Sequence, residues 1–276
     1  VAKIKTKNAK KITHKYLFHI LNSKYFEKEA ILNSFGVAQK NLSTKWISNF
    51  KVPLPSIEAQ NLIVEELDGY QKIIGGSRQI IENYKLSIDV DPSWEMVELG
   101  EVCKVTGGGT PTRNVKKYWS NGKIRWLSCK YLDEDGNVIG SESITQEGLK
   151  SSSSNVISSG SIILVNRVSL GKVVYTYEDY AINQDLTGIN TMDEDKIDNY
   201  FIFLFLSKIK QKFINDGRGL GVKGITKDYI KKIKIPIPPK KIQKKIIEEV
   251  QKDLNLIKEN KLIIKRIEDK VNKQLN

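Results

Sequence analysis

The sequence predicts an α+β protein in which one mixed-sheet body is flanked by two long helices pairing as an antiparallel coiled coil. Three observations predict it: a segment that recurs at a fixed offset, a heptad seam in both copies, and strand-like runs confined to the stretch between them. Self-similarity at a fixed offset means one supersecondary unit used twice.

The repeat appears when Gln60 is aligned with Gln243, an offset of 183 residues. Lys51-Val52-Pro53-Leu54-Pro55 then falls on Lys234-Ile235-Pro236-Ile237-Pro238, and Ile63-Val64-Glu65-Glu66-Leu67 on Ile246-Ile247-Glu248-Glu249-Val250. Backwards, Leu42-Ser43 falls on Ile225-Thr226, Trp46-Ile47 on Tyr229-Ile230 and Phe50 on Ile233. The unit is a domain's end, a proline-rich exit and a long helix.

Periodicity makes the helix. Ile63, Leu67, Tyr70, Ile74, Ser77, Ile81, Tyr84 and Ile88 alternate spacings of four and three, and their equivalents are Ile246, Val250, Asp253, Ile257, Asn260, Ile264, Ile267 and Val271. A heptad seam sustained this long fits a coiled coil better than a surface helix. Both copies interrupt the seam at one place, Ser77 and Asn260, where a polar residue fixes register at some cost in stability. From Ser56 to Lys85 the first helix spans about 45 Å at ~1.5 Å per residue. Gly75-Gly76 weakens it by up to about 1 kcal/mol per glycine. The competing reading is two amphipathic helices, each packed on its own domain.

With 276 residues and 39% hydrophobic content, the chain suits one large or two smaller globular units. It has no apolar run of about 18 residues, so no membrane span is expected. No signal peptide is visible, and Cys103 and Cys129 lack metal-ligand spacing, which points to a reducing cytoplasm. The first residue is Val, and six lysines lie between Lys3 and Lys15 without an element start, so the chain reads as a fragment.

Charge is unevenly placed. The formal net charge is +13, yet residues 199–245 carry thirteen Lys/Arg against only Asp216 and Asp228, whereas residues 94–198 carry eleven against fifteen acids. A basic stripe beside a near-neutral body fits a polyanion lying on one face, with a lysine-rich solvated surface as the plain alternative.

In chain order, residues 1–54 read as the end of a domain, with Tyr16–Leu21 helical like Tyr200–Phe205 and Gly36 standing where Gly219 stands later. A helix over 56–88 follows, stopped by Asp91-Pro92-Ser93. Residues 94–238 form the complete body. Its strand-like runs are 124–127, 161–165 and 172–177, with 225–237 returning to strand character after a helix over 200–214. Gly107-Gly108-Gly109-Thr110-Pro111 reads as a flexible loop.

No catalytic constellation stands out. Gly122-Lys123 and Gly171-Lys172 lack the Ser/Thr of a phosphate loop, and Gly217, Gly219 and Gly221 lack dinucleotide spacing. His14 and His19 suit solvent or core roles, and Asp133-Glu134-Asp135 suits a solvated turn. Binding chemistry is better represented. Lys104, Arg113, Lys116, Lys117, Lys123, Arg125 and Lys130 occur without an intervening acid, interleaved with Tyr118, Trp119, Trp126 and Tyr131. Such cations neutralise phosphates, and Arg pairs bidentately with guanine. A second patch holds Arg218, Lys223, Lys227, Lys231 and Lys232. Thr110, Arg167 and Lys172 complete the basic and polar set, with Asn183 and Gln184 either reading adenine edges or stitching a loop. At least one of the two tryptophans is expected in the core.

Taken in order, Trp94-Glu95-Met96-Val97-Glu98-Leu99-Gly100, Gly108-Gly109-Thr110-Pro111, Tyr118-Trp119, Ile124-Arg125-Trp126-Leu127, Gly148-Leu149-Lys150-Ser151-Ser152, Ile182-Asn183-Gln184, Gly224-Ile225-Thr226 and Ile235-Pro236-Ile237-Pro238-(x4)-Gln243 resemble the specificity subunit of type I restriction-modification systems. The resemblance covers nearly the whole chain. It implies two target recognition domains, each reading half of a split double-stranded DNA target, held apart by two antiparallel helices. Residues 1–54 would then end the first recognition domain, 55–93 hold the central helix, 94–238 the second recognition domain and 239–276 the C-terminal helix. It further implies two methyltransferase subunits carrying the methyl donor, attached restriction subunits, no catalysis or cofactor in this chain, and self-association if the chain is a half-subunit. The alternatives are the targeting part of a fused methyltransferase-nuclease and a non-enzymatic coiled-coil adaptor.

Overall fold

A computed structural model of the chain describes residues 3–36, 40–84, 88–133 and 135–274. It divides into two units, Val1–Tyr84 with Asp253–Asn276, and Lys85–Lys252.

The first unit holds α1 (His14–Leu21), α2 (Lys24–Leu32), α3 (Thr44–Asn49) and α4 (Ile57–Asn83). Each begins at a hydroxyl: Thr13, Ser23, Ser43 and Ser56 accept from the N–H three residues on, satisfying donors that a helix start leaves open. Tyr16 and Ile20 of α1 pack on Val64 and Leu67 of α4, and Ile63 and Tyr70 border this core. Beside it Asp68 accepts from Lys15 Nζ at 2.7 Å and pairs with the buried His19 at 2.9 Å. His19 is thus a core residue with a carboxylate partner, and His14 is exposed.

The last residues of α10 (Lys240–Gln274) complete this unit. Val271 packs on the core near the start of α4, Gln274 Nε2 donates to Glu66 at 2.6 Å, and Arg78 meets Glu268 at 3.1 Å. High-numbered residues of α10 meet low-numbered residues of α4, so the helices run antiparallel. Ile267 is buried, and Ile74, Ile81, Tyr84, Ile257 and Ile264 are half-buried, which traces the predicted seam. Ser77 and Asn260 are each 6% exposed, and Asn260 satisfies its amide on Leu256 O of its own helix at 2.9 Å. The helix α4 ends at Asn83, earlier than the sequence implies; residues 85–87 lie outside the described set, and Ile88 is buried in the core of the second unit.

The second unit opens with β1 (Glu95–Glu98), α5 (Leu99–Val102), β2 (Cys103–Gly107), β3 (Ile124–Leu127), β4 (Glu142–Ile144), α6 (Gln146–Lys150) and β5 (Asn155–Ile157). It continues with β6 (Ile162–Val165), β7 (Val173–Tyr175), β8 (Tyr180–Ile182), β9 (Leu186–Thr191), α7 (Asn199–Lys208), α8 (Lys210–Asp216), α9 (Lys227–Lys231) and β10 (Lys234–Ile237). One four-stranded sheet runs β2-β9-β6-β7, all antiparallel. The other runs β4-β3-β8-β5, with β3 and β8 parallel. The ends of the body pair with each other as β1 and β10, Glu95 opposite Ile237.

Side-chain alternation divides the core into layers. Ile162, Leu164 and Val173 face α7, where Phe201, Ile202 and Phe205 lie, and Val250 and Ile246 of α10 join them. Ile163, Val165 and Val174 face the other way, against Leu127, Ile157 and Ile182 of the second sheet. Trp126, Ile144 and Ala181 form a third layer on the far side, with Trp119, Ile124 and Leu149 packed on it. The four residues of β6 are all buried because both its faces are covered.

Two further expectations need correction. The stretch 225–237 is not continuous strand: Thr226 caps α9 before β10 begins, at the same offset at which Ser43 caps α3. The helix over 200–214 breaks at Ile209 into α7 and α8. The repeat itself is carried into three dimensions. The bridge Phe35–Asn41 recurs as Arg218–Gly224, α3 recurs as α9, and Gln60 and Gln243 are each fully buried. Gln60 Oε1 accepts from Thr13 N at 2.9 Å, while its Nε2 donates to Lys11 O and Pro55 O at 2.8 and 3.0 Å. Gln243 does the same with Asp198 N, Lys196 O and Pro238 O at 2.9, 2.9 and 2.8 Å. The two seam readings combine: Ile246 and Val250 pack in the core of the second unit, whereas Ile63 and Leu67 lie in the core of the first with Val271 of α10 packed beside them.

Gln243→Ala should strand Asp198 N–H and two carbonyls in a buried site, and lower unfolding free energy by about 2–4 kcal/mol. Denaturant titration tests this; a loss below about 0.5 kcal/mol would remove the glutamine from its structural role. No atom lies within 4 Å of a Cβ placed on Gly76, so Gly76→Ala should raise stability by about 0.5–1 kcal/mol in the same assay.

Candidate nucleic-acid interface

The basic stretch of the second unit is displayed around the third core layer. Trp126 is 1% exposed and donates from Nε1 to Gly109 O at 3.1 Å; Trp119 stands edge-on to it at 5.3 Å. One tryptophan is core, as expected, and the other is its half-buried cover. The Arg113 guanidinium lies 3.9 Å from the Trp119 ring and 4.7 Å from that of Trp126. It also pairs with Glu142, which takes Lys130 at 2.6 Å. Burial pushes the Glu142 carboxyl up, but the two cations outweigh it and hold it below the usual carboxylate range.

Acid-free in sequence, the stretch is not acid-free in space. Lys117 pairs with Glu147 and Arg125 with Glu178, both exposed. Lys116 and Lys123 are exposed and have no carboxylate partner among the described residues. Sequence reading missed Glu142, Glu147 and Glu178 as partners because all three lie beyond the basic stretch, as far as 53 residues from the cation in the case of Glu178.

The loop Gly107–Pro111 is pinned rather than flexible. A Cβ on Gly108 would stand 2.2 Å from Asn183 O, and one on Gly109 2.8 Å from the Ser153 carbonyl carbon. Glycine is required there for close backbone approach. Asn155 Nδ2 holds Gly107 O at 2.9 Å, and Gly109 N donates to Ile182 O at 3.0 Å.

From this loop a chain of polar contacts leads to the second basic patch. Thr110 Oγ1 donates to Gln184 at 2.6 Å. Asn183 is buried, donating to Asp185 Oδ2 at 3.0 Å and accepting from Asp185 N at 3.1 Å, so its amide stitches the loop. Gln184 is exposed. Asp185 stands 3.4 Å from Arg167 Nε. Arg167 and Arg218 both bridge to Gly224, where an added Cβ would lie 2.7 Å from Arg167 Cγ. Lys172 is tied to Asp133 O at 2.9 Å, whereas Lys223 is exposed. Thr110, Gln184, Arg167, Arg218 and Lys223 are thus brought together, and Arg113, Lys130 and Arg125 are held in ion pairs around the tryptophans.

Burial pushes the Cys103 thiol up to about 12 and that of Cys129 to about 11, so neither is poised as a nucleophile. Among the described residues no group of three or more His, Cys, Asp or Glu could hold a metal ion. No helix among them is long and apolar enough to cross a membrane.

A specificity subunit of Methanocaldococcus jannaschii, the putative type I restriction enzyme MjaX subunit, is 27% identical over 98% of this chain and 68% of its own length. The EcoR124I/EcoR124II specificity subunit of Escherichia coli is 27% identical over 86% of this chain and 62% of its own. The type I S subunit of M. genitalium shares the fold at a TM-score of 0.58 and 15% identity, covering 98% of this chain and 74% of that one. The HsdS subunit of Thermoanaerobacter tengcongensis does so at 0.52 and 16%, covering 97% and 71%. The family model for the type I restriction modification DNA specificity domain matches residues 1–83 and 92–269, and the chain belongs to that family.

Proposed function

We propose that this chain is the DNA-reading subunit of a type I restriction-modification assembly and directs methyltransferase and restriction subunits to a bipartite target. The observation that carries this reading is a recognition body set between two copies of one glutamine-pinned helix unit, in a chain of the DNA specificity family. On this reading residues 94–238 contact one half-site and residues 1–54 belong to the body that contacts the other. Phosphate contacts position the body and base contacts specify. Lys116, Lys123 and Lys223, all exposed, suit phosphates; Arg218 and Gln184 suit base edges.

Catalysis and the methyl donor are assigned to the partner subunits. A seat for them is offered by the helix pair. Ile73, Ile80, Leu256 and Ile263 are all at least 40% exposed, and Leu256 and Ile263 are the repeat equivalents of Ile73 and Ile80. In an antiparallel pair built from repeats, equivalent positions share one face, so the four form a single apolar stripe suited to a partner's helices. The fused-enzyme and adaptor readings have no comparable observation behind them.

Methylome sequencing of the host with and without this gene should show one bipartite motif lost; an unchanged methylome would remove the proposal. In binding titrations with the assembled complex, Lys116→Ala and Lys123→Ala should weaken all duplexes alike and lower the salt dependence by about one counterion each. Arg218→Ala should cost roughly 1–3 kcal/mol on the preferred site and far less elsewhere. Equal losses on target and scrambled duplexes would make Arg218 a phosphate contact instead.

A further inference from the structure

Among the described residues of the second unit the most exposed large apolar side chain is Leu220, at 112% of its reference area. It stands between two glycines in Gly217-Arg218-Gly219-Leu220-Gly221-Val222-Lys223-Gly224. A leucine at a glycine-flanked tip buries nothing in its own domain, so folding gives no reason for it. Its loop is nevertheless well anchored. Arg218 and Gly224 exchange two backbone hydrogen bonds of 2.9 and 3.0 Å. The helices on either side are tied by Tyr229 on Asp216, where burial and the carboxylate push the phenol up to about 12. Gly219 takes φ +141, which a side chain would strain, and an added Cβ there would lie 2.4 Å from Val222 O.

A second loop stands beside it. Arg167 also pairs with Gly224, and Ile225 N donates to Asn166 O at 3.0 Å. A Cβ on Gly217 would lie 2.4 Å from Leu170. The tip of this second loop is Val168, 61% exposed and held at φ +68, a left-handed conformation that costs a β-branched residue free energy. Val222, 52% exposed, completes the apolar group. The two tips therefore present Leu220, Val168 and Val222, with Arg167, Arg218 and Lys223 at their bases. The segment around them is the most basic of the chain, with Asp216 and Asp228 as its only acids between residues 199 and 245.

Aliphatic side chains exposed at a rigid tip among cations have a known chemistry on DNA. They enter a base step as a wedge, while the cations hold the flanking phosphates. We propose that Leu220 is such a wedge, entering one base step of the half-site read by the second unit, with Val168 and Val222 packing on the opened step. The loop base recurs in the first unit as the Phe35–Asn41 bridge, with Gly36 at φ +106, so the base that anchors the loop is part of the repeated unit. This inference rests on the DNA-reading role proposed above.

The test uses the full chain without methyltransferase subunits, so that no base is unstacked by another protein. A duplex selected by the chain from a random-sequence pool carries 2-aminopurine at each purine position in turn. Wild type should raise the fluorescence at one or two adjacent positions and nowhere else. Leu220→Ala should abolish that rise and weaken the selected duplex roughly tenfold, while scrambled duplexes change less than about twofold. Leu220→Met, which keeps a long apolar side chain, should restore most of the signal. Because Leu220 is fully exposed, none of these changes threatens the fold. Tight, selective binding without any fluorescence change would overturn the wedge and leave the DNA-reading role standing. So would loss of affinity on replacing a thymine by uracil with no fluorescence change, since that marks contact with a methyl group instead. Failure of the wild-type chain to enrich any duplex would overturn both.

Discussion

Two buried glutamines hold this protein's plan together. Each side-chain amide accepts one backbone N–H and donates to two carbonyls, so a polar group with no access to water is fully used. Only an amide fits. A carboxylate would face two carbonyl oxygens with no proton to offer, and an aliphatic side chain would leave all three backbone groups unpaired. One of those carbonyls belongs to the proline that ends the exit, Pro55 or Pro238, and the N–H belongs to a helix N-cap, Thr13 or Asp198. The clasp therefore ties the start of each long helix to the core it leaves.

The helices then divide their apolar surface between two duties. In α10 the early seam residues Ile246 and Val250 anchor to the second unit's core; in α4 the early residues Ile63 and Leu67 serve the local core and meet Val271 of α10 as well, so one heptad pattern supports both core packing and the antiparallel pair. Ser77 and Asn260 lie in the second half of this arrangement; both are buried, and Asn260 donates its amide to its own helix. A polar residue in such a seam disfavours slipped registers, which would set its amide against aliphatic side chains. The cost in stability is accepted at the position where the two copies of the repeat are equivalent.

What the sequence made legible was what depends on local spacing. The seam, the strand-like runs 124–127 and 161–165 and the glutamine alignment all follow from periods and offsets. Features that depend on distant partners were hidden. Nothing within ten residues of Arg125 announces Glu178, and the β1–β10 pairing joins segments at opposite ends of the body. The glycines at 108 and 109 were read as freedom and proved to be clearance, since only the fold brings Asn183 and Ser153 against them. The helix α9 was hidden by Ile225, Ile230 and Ile233, whose β-branched side chains suggest strand; the repeat with Ser43 and α3 held the clue, through the cap at Thr226.

Internal ion pairing changes what the net charge of +13 means for recognition. A phosphate that approaches Arg113, Lys117, Arg125 or Lys130 competes with a carboxylate already in place. The exposed pairs are individually weak, so their exchange costs little, yet each removes an unscreened cation from the long-range field. Non-specific attraction is thereby reduced more than contact with a well-placed partner, because the gain from a bidentate or stacked contact is local whereas nonspecific binding draws on the summed charge. Arg113 is the extreme case. Stacked on Trp119 and paired with Glu142, its guanidinium is oriented before any ligand reaches it. Under the DNA-reading role proposed above, prior orientation of this kind would favour a fitting partner over a merely anionic one.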